Sequence, residues 1–225
     1  MAAAKSNTNW FAIGVSIAVV VVLVAIGGLV VFLNNQATAP GVAPKSDIVD
    51  GKTGAISFGS GEDEIETYVD FMCPICGQFE DAYGEQLQSA AANGTITLSI
   101  HPISILDRAS QNTQFSTRSA NAAYCVAEQA PDSFLAFFNL LFERQPEENS
   151  TGLTDKELSA IAEESGAGAA ADCISAGTFN KFVADMTALT PPDPETGRVG
   201  TPTVVINGDR IQNADIASQF AKLLG

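Results

Sequence analysis

Cys73 and Cys76 are separated by two residues within Val69-Asp-Phe-Met-Cys-Pro-Ile-Cys-Gly-Gln78. Two thiols at this spacing on one helical turn can close a short disulfide, so the pair can cycle between dithiol and disulfide and pass two electrons. Pro74 fits the first turn of a helix, where its missing N–H is no loss and its fixed φ is already helical. Cys73 then stands at the helix N-terminus. There the unpaired N–H groups and the positive end of the helix dipole favour a thiolate, and a thiol of pKa ~8.5 can fall to about 3.5 to 7.5. The expected roles are nucleophile for Cys73 and resolving thiol for Cys76, with Pro74 and Ile75 completing the motif. The competing readings of the motif are a zinc half-site and a plain structural disulfide. Zinc wants a second ligand pair of similar spacing, whereas Cys125, Cys173 and the single histidine, His101, stand apart, so no metal is expected.

Positioning these thiols needs a strand before them and a helix after them. Residues 65–71 alternate with period two and are β-branched or aromatic, which predicts the strand. The helix is expected from Pro74 to about Ala92, ended by Asn93-Gly94. Residues 95–101 alternate again, and the intervening helix supplies the crossover that a parallel pair requires. A short strand over 55–58 and a turn over 59–64 lead into the first long strand. His101, followed by Pro102, reads as a structural residue, with a base or metal ligand as the alternative.

From 110 to about 189 the pattern is helical throughout. Thr154-Asp-Lys-Glu157 is a capping box opening a helix that stops at Gly166, and a last helix is expected over 178–189. Phe134, Phe137, Phe138 and Phe142 read as core, or as a groove for unfolded polypeptide. Cys125 and Cys173 lie in this block; an even cysteine count in an exported domain suggests that they pair, and two free buried thiols are the alternative. Residues 190–198 are broken by Pro191, Pro192 and Pro194. Beyond them, strands around Val204 to Ile206 and Arg210 to Ile211 flank Asn207-Gly208, a type I′ hairpin signal, and residues 214–224 form an amphipathic helix.

Upstream, residues 10–33 contain no charge and are mostly Val, Ile, Leu, Ala and Gly, enough to span a hydrocarbon core of ~30 Å. A cleaved signal peptide is the alternative, since Ala37-Thr-Ala39 resembles a cleavage site. The apolar run exceeds the usual length, however, and Pro40 would follow the cut. Lys5 precedes the span and the next basic residue after it is Lys45, so a cytoplasmic N-terminus (1–9), a transmembrane anchor (10–33), a flexible linker (34–46) and an extracytoplasmic domain (47–225) are expected. In the 225-residue chain, 11 basic against 26 acidic residues give a net charge of −15, which disfavours nucleic acid and anionic lipid as partners.

The resulting order of strand, helix, strand, helical insertion (about 107–190), antiparallel hairpin and helix resembles a thioredoxin fold, an α/β class, preceded by a single transmembrane helix. More closely, the chain resembles the DsbA-like thiol-disulfide oxidoreductases, in particular the membrane-anchored members of actinobacteria. The motifs are Asp70-Phe-Met-Cys-Pro-Ile-Cys76, Ser119-Ala-Asn-Ala-Ala-Tyr-Cys125, Leu141-Phe-Glu-Arg-Gln-Pro146 and Gly200-Thr-Pro-Thr203, and the resemblance covers roughly 46–225. It implies a cis Pro202 lying against the cysteine motif and a Thr201 whose backbone receives a substrate strand, which could add to the exposed edge.

The chain departs from the family's pattern at two positions. Ile75 stands where family oxidases often carry a histidine that stabilises the thiolate. Thr67 stands where relatives often bury an acid, leaving Glu66, Asp70 or water to take the Cys76 proton. The resemblance implies a cell-membrane enzyme that introduces disulfides into reduced exported proteins, is reoxidised by a quinone-linked membrane protein, needs no cofactor and acts as a monomer. The alternatives are a reductase or isomerase of exported thiols, and a non-enzymatic module binding copper or a partner protein.

Overall fold

A computed structural model describes residues 9–224 and divides the chain into two units at Pro40. The first holds one helix, α1 (Trp10–Thr38). Its segment Ile13–Asn34, 22 residues of mean hydropathy 3.1, is long and apolar enough to cross a membrane, and it is the one such helix among the described residues. The helix runs on past Leu33, where the expected anchor ends: no proline interrupts the chain until Pro40, so it continues to Thr38. Lys5, on which the expected orientation rests, lies outside the described residues, as does Gly225.

The flexible linker expected over 34–46 is therefore corrected at its first half, and its second half is also ordered. Gly41 N–H donates to the Asp185 carboxylate at 2.6 Å, Lys45 N–H donates to the Glu128 carboxylate at 2.8 Å, and Pro44 is buried. Glycine is required at 41, because a Cβ there would sit 2.3 Å from the Phe182 backbone nitrogen. A glycine that reads as flexible in sequence serves here for close approach.

In the second unit, five strands, β1 (Ile56–Gly59), β2 (Asp63–Val69), β3 (Ile96–Pro102), β4 (Thr203–Ile206) and β5 (Asp209–Ile211), pair in the order β1-β3-β2-β4-β5. β2 and β3 run parallel and the other pairs antiparallel. The crossover from β2 to β3 is α2 (Pro74–Phe79) and α3 (Glu85–Ala92), joined by a π-helical turn over Glu80–Gly84 where an uninterrupted α-helix was expected. Asn207 and Gly208 both have positive φ, 51° and 87°, as a type I′ hairpin between β4 and β5 demands.

Helices α4 (Phe115–Gln129), α5 (Phe134–Glu143), α6 (Asp155–Glu164), α7 (Ala171–Ala176) and α8 (Asn180–Thr187) all fall between β3 and β4, and α9 (Ile216–Leu223) closes the fold. This is a thioredoxin fold with a helical insertion. Thr154 and Glu157 form a reciprocal capping box on α6. A disulfide joins Cys125 of α4 to Cys173 of α7.

Phe134, Phe137 and Phe138 are buried core, whereas Phe142 is partly buried, packing against the core and lining a surface cleft. Phe71, in the turn after β2, meets Phe138 and Phe142 with ring centroids 5.8 and 5.0 Å apart. The insertion thus packs directly against the segment that carries the cysteines.

Candidate functional site

The segment Asp70-Phe71-Met72 turns the chain from the end of β2 into α2, and Cys73 N–H closes the turn on the Asp70 carbonyl at 2.9 Å. Cys73 is the N-cap residue of α2, with extended φ −81° and ψ 114°, and Pro74 is the first helical residue. The Cys73 carbonyl accepts from Cys76 N–H at 3.0 Å and from Gly77 N–H at 3.2 Å. Cys73 thus stands at the positive end of α2, where the N–H groups of the first turn favour a thiolate.

The two thiols have opposite acidities. The Cys76 thiol, as a donor to the Cys73 thiolate, is the largest influence on Cys73. It prevails over the opposing effect of burial and, with the Thr201 hydroxyl and the N–H groups of Cys76 and Ile75, lowers Cys73 to about 6. Burial pushes the Cys76 thiol well above its ordinary range, and the neighbouring Cys73 pushes the same way. Cys73 keeps 6% of its surface and Cys76 none, whereas Ile75 between them is half exposed. Of the two cysteines, only Cys73 keeps any surface open to solvent.

β4 begins at Thr203, paired with Tyr68 near the end of β2, and that register brings the preceding Thr201–Pro202 peptide beside Cys73. This peptide bond is cis. The Thr201 carbonyl accepts from the Cys73 thiol at 3.5 Å, while the Thr201 hydroxyl serves the thiolate form. Thr201, Pro202, Cys73, Pro74, Ile75 and Cys76 thus meet in one place, although they come from opposite ends of the domain.

Three further residues lie around these cysteines: Asp70, which the sequence already offers as a candidate, and Gln145 and Glu80, which it does not single out. The Asp70 carboxyl, fully buried, is pushed up to about 6 by burial against the lowering effect of its donors. Those donors include the N–H groups of Met72, Ile105 and Leu106, each at 2.9 Å. Gln145, just after α5, donates its side-chain amide to the carbonyls of Phe71 at 3.1 Å and Cys73 at 2.9 Å. Glu80, in the turn after Cys76, is raised to about 8 by burial and then by the neighbouring Asp81. It sits in a cleft lined also by Glu85, Gln88, Asn139 and Glu143.

Glu66 is removed from the candidates for taking the Cys76 proton. Strand alternation turns it to the sheet face away from Thr67, where Tyr68 donates to it at 2.9 Å and His101 Nε2 lies 3.1 Å from its carboxylate. His101 is buried and stacks on Tyr68 with ring centroids 4.0 Å apart, as a structural residue of the sheet. Among the described residues no group of three or more His, Cys, Asp or Glu has the arrangement to hold a metal ion.

The model of the family described as Thioredoxin matches residues 56–225. Among solved structures, oxidised DsbA of Mycobacterium tuberculosis is 28% identical, covering 76% of this chain and 93% of that one with a TM-score of 0.64. The reduced disulfide bond oxidoreductase DsbG of the same organism is 27% identical, covering 85% and 91% with a TM-score of 0.62. MdbA, a thiol-disulfide oxidoreductase from Corynebacterium diphtheriae, shares the fold at 20% identity and a TM-score of 0.65, covering 84% and 98%. Among curated proteins, the serine/threonine-protein kinase PknE of Mycobacterium tuberculosis is 32% identical over 168 residues, which are 72% of this chain and 29% of that protein. The chain therefore spans less than a third of the length of the curated relatives it matches.

Proposed function

The chain belongs to the thioredoxin family and has its DsbA-like form, and on that premise we propose that it is a membrane-anchored thiol-disulfide oxidoreductase that introduces disulfides into exported proteins. The observation that carries this reading is the inequality of the two thiols. Cys73 is acidic and reachable, whereas Cys76 is enclosed and hard to ionise.

The reaction starts from the Cys73–Cys76 disulfide. A substrate thiolate attacks the Cys73 sulfur, a mixed disulfide forms, and Cys76 leaves and takes up a proton. A second substrate thiolate then attacks its partner sulfur in the mixed disulfide, releasing Cys73 as thiolate. The substrate loses two electrons and two protons; the enzyme takes both electrons and one proton, ending with Cys76 as thiol and Cys73 as thiolate, and the second proton goes to solvent. The released Cys73 is stabilised by the donors around it, which favours transfer of the disulfide outward. Thr201 and Pro202 provide the edge on which the substrate strand lies during both attacks.

Helix α1 is the membrane anchor in this reading, with the N-terminus cytoplasmic and the redox domain outside, where the Cys125–Cys173 disulfide persists. A quinone-linked membrane protein returns Cys73 and Cys76 to the disulfide after each turnover, and the enzyme works as a monomer without a bound cofactor. The test is oxidation of a reduced, unfolded disulfide protein by the full chain in detergent. Wild type restores its disulfides, Cys73→Ser does not, and equal activity of the two would overturn the assignment.

A further inference from the structure

Gln145 belongs to the helical insertion, yet its amide reaches across 72 positions of sequence into the turn that presents Cys73. Its Nε2 is shared between the carbonyls of Phe71 and Cys73. Its Oε1 lies over the first turn of α2, in the space that Gly77 leaves open: a Cβ on Gly77 would fall 2.5 Å from that oxygen and push the amide aside. The Phe71 carbonyl belongs to a fully buried residue, and a buried carbonyl that loses its donor is destabilised by the full desolvation of the group. The bridge therefore fixes two peptide planes on either side of Met72.

We propose that Gln145 is a positioning residue for Cys73, through which the helical insertion holds the Cys73 peptide in the orientation its thiolate needs. Cys73 is extended, with ψ 114°, and its carbonyl is turned into the helix, where Cys76 and Gly77 N–H groups hold it; in that conformation the N–H groups of Ile75 and Cys76 favour the thiolate. Gln145 holds that carbonyl from outside the helix, in addition to the Cys76 and Gly77 N–H groups that hold it from within. Asp70 grips the same turn from the other side through Ile105 and Leu106, so the segment 70–73 is held between two parts of the chain that follow β3.

This inference deepens the reading of Cys73 as the nucleophile and rests on it, but its test reads ionisation without turnover. The full chain, reduced in detergent, is alkylated with iodoacetamide over a range of pH, and the modification of Cys73 is followed by peptide mass spectrometry. Asp70 and Cys76 are the titratable groups facing Cys73, and the substitutions leave both in place. Gln145→Met keeps the length of the side chain and removes both donors. Its Cys73 midpoint is expected to move up by about one unit, a tenfold change in ionisation. Gln145→Glu, which offers a carboxylate in place of the donor, moves it further. A Gln145→Met midpoint equal to wild type in folded protein overturns the proposal. If Gln145→Met does not fold, Gly77→Ala displaces the amide by its added methyl group while favouring the helix. The same upward shift is then expected, and an unchanged midpoint overturns the proposal equally. Loss of oxidase activity with a normal wild-type titration would instead count against the proposed function.

Discussion

Cys76 follows Cys73 within one turn of α2, and its thiol is the largest influence on the acidity of Cys73. The resolving cysteine therefore has two functions, one in the disulfide and one in the reduced state. In the reduced state its proton supports the neighbouring thiolate, and its own ionisation is suppressed by burial and by that thiolate.

Cys76→Ala and Cys76→Ser separate these functions. Both abolish disulfide turnover, but serine keeps a donor beside Cys73 and alanine does not. The Cys73 alkylation midpoint is expected to rise in Cys76→Ala and to stay closer to that of wild type in Cys76→Ser. Equal midpoints in the two variants would contradict that influence.

The strand before the cysteines, the helix after them and the hairpin at Asn207-Gly208 were all legible in sequence, because each is a local pattern of period, cap or turn. The pairing of Cys125 with Cys173 was legible as one of two options. What was not legible comes from contacts between distant segments. Gln145 lies in a motif that could be quoted for resemblance, but nothing local says that its amide reaches Cys73. Asp70 was visible as an acid near the thiols, while the donors that hold it come from residues 105 and 106. The π turn at Glu80–Gly84 leaves no mark on the hydrophobic period, and Gly41 reads as a spacer until its neighbour Phe182 is seen.

Stability should depend on pH in two opposed ways. Cys73 is lowered from 9.0 to about 6, so between these values the unfolded chain holds a proton that the folded chain has released. This contribution is present above about 9, and it is lost as pH falls through about 6. Glu80 is raised from 4.5 to about 8, so the folded chain holds the extra proton, and its contribution is present below about 4.5 and declines as pH rises through about 8. Denaturant unfolding of reduced wild type against Cys73→Ser isolates the first effect, and wild type against Glu80→Gln isolates the second. Glu80→Gln is expected to gain on wild type as pH rises from about 4.5 to about 8, the window set by the same shift. Parallel curves would rule out the burial of Glu80 as a neutral acid.

The Cys125–Cys173 disulfide closes a loop of 48 positions between α4 and α7. Replacing both cysteines by alanine is expected to reduce stability by about 4 kcal/mol through loop-closure entropy. The Cys73 alkylation profile should remain that of wild type, because the disulfide lies outside the redox turn. A shifted profile in the folded double variant would place the disulfide in the redox machinery.

The most direct test of the central claim is the reduction potential of the Cys73–Cys76 pair in the full chain, equilibrated against glutathione with Cys125 and Cys173 followed separately. An acidic Cys73 supported by several donors stabilises the dithiol, so a value nearer about −120 mV than about −270 mV is expected, at the oxidising end of this fold's range. A value near about −270 mV would contradict the oxidase reading and make the protein a reductase of exported thiols.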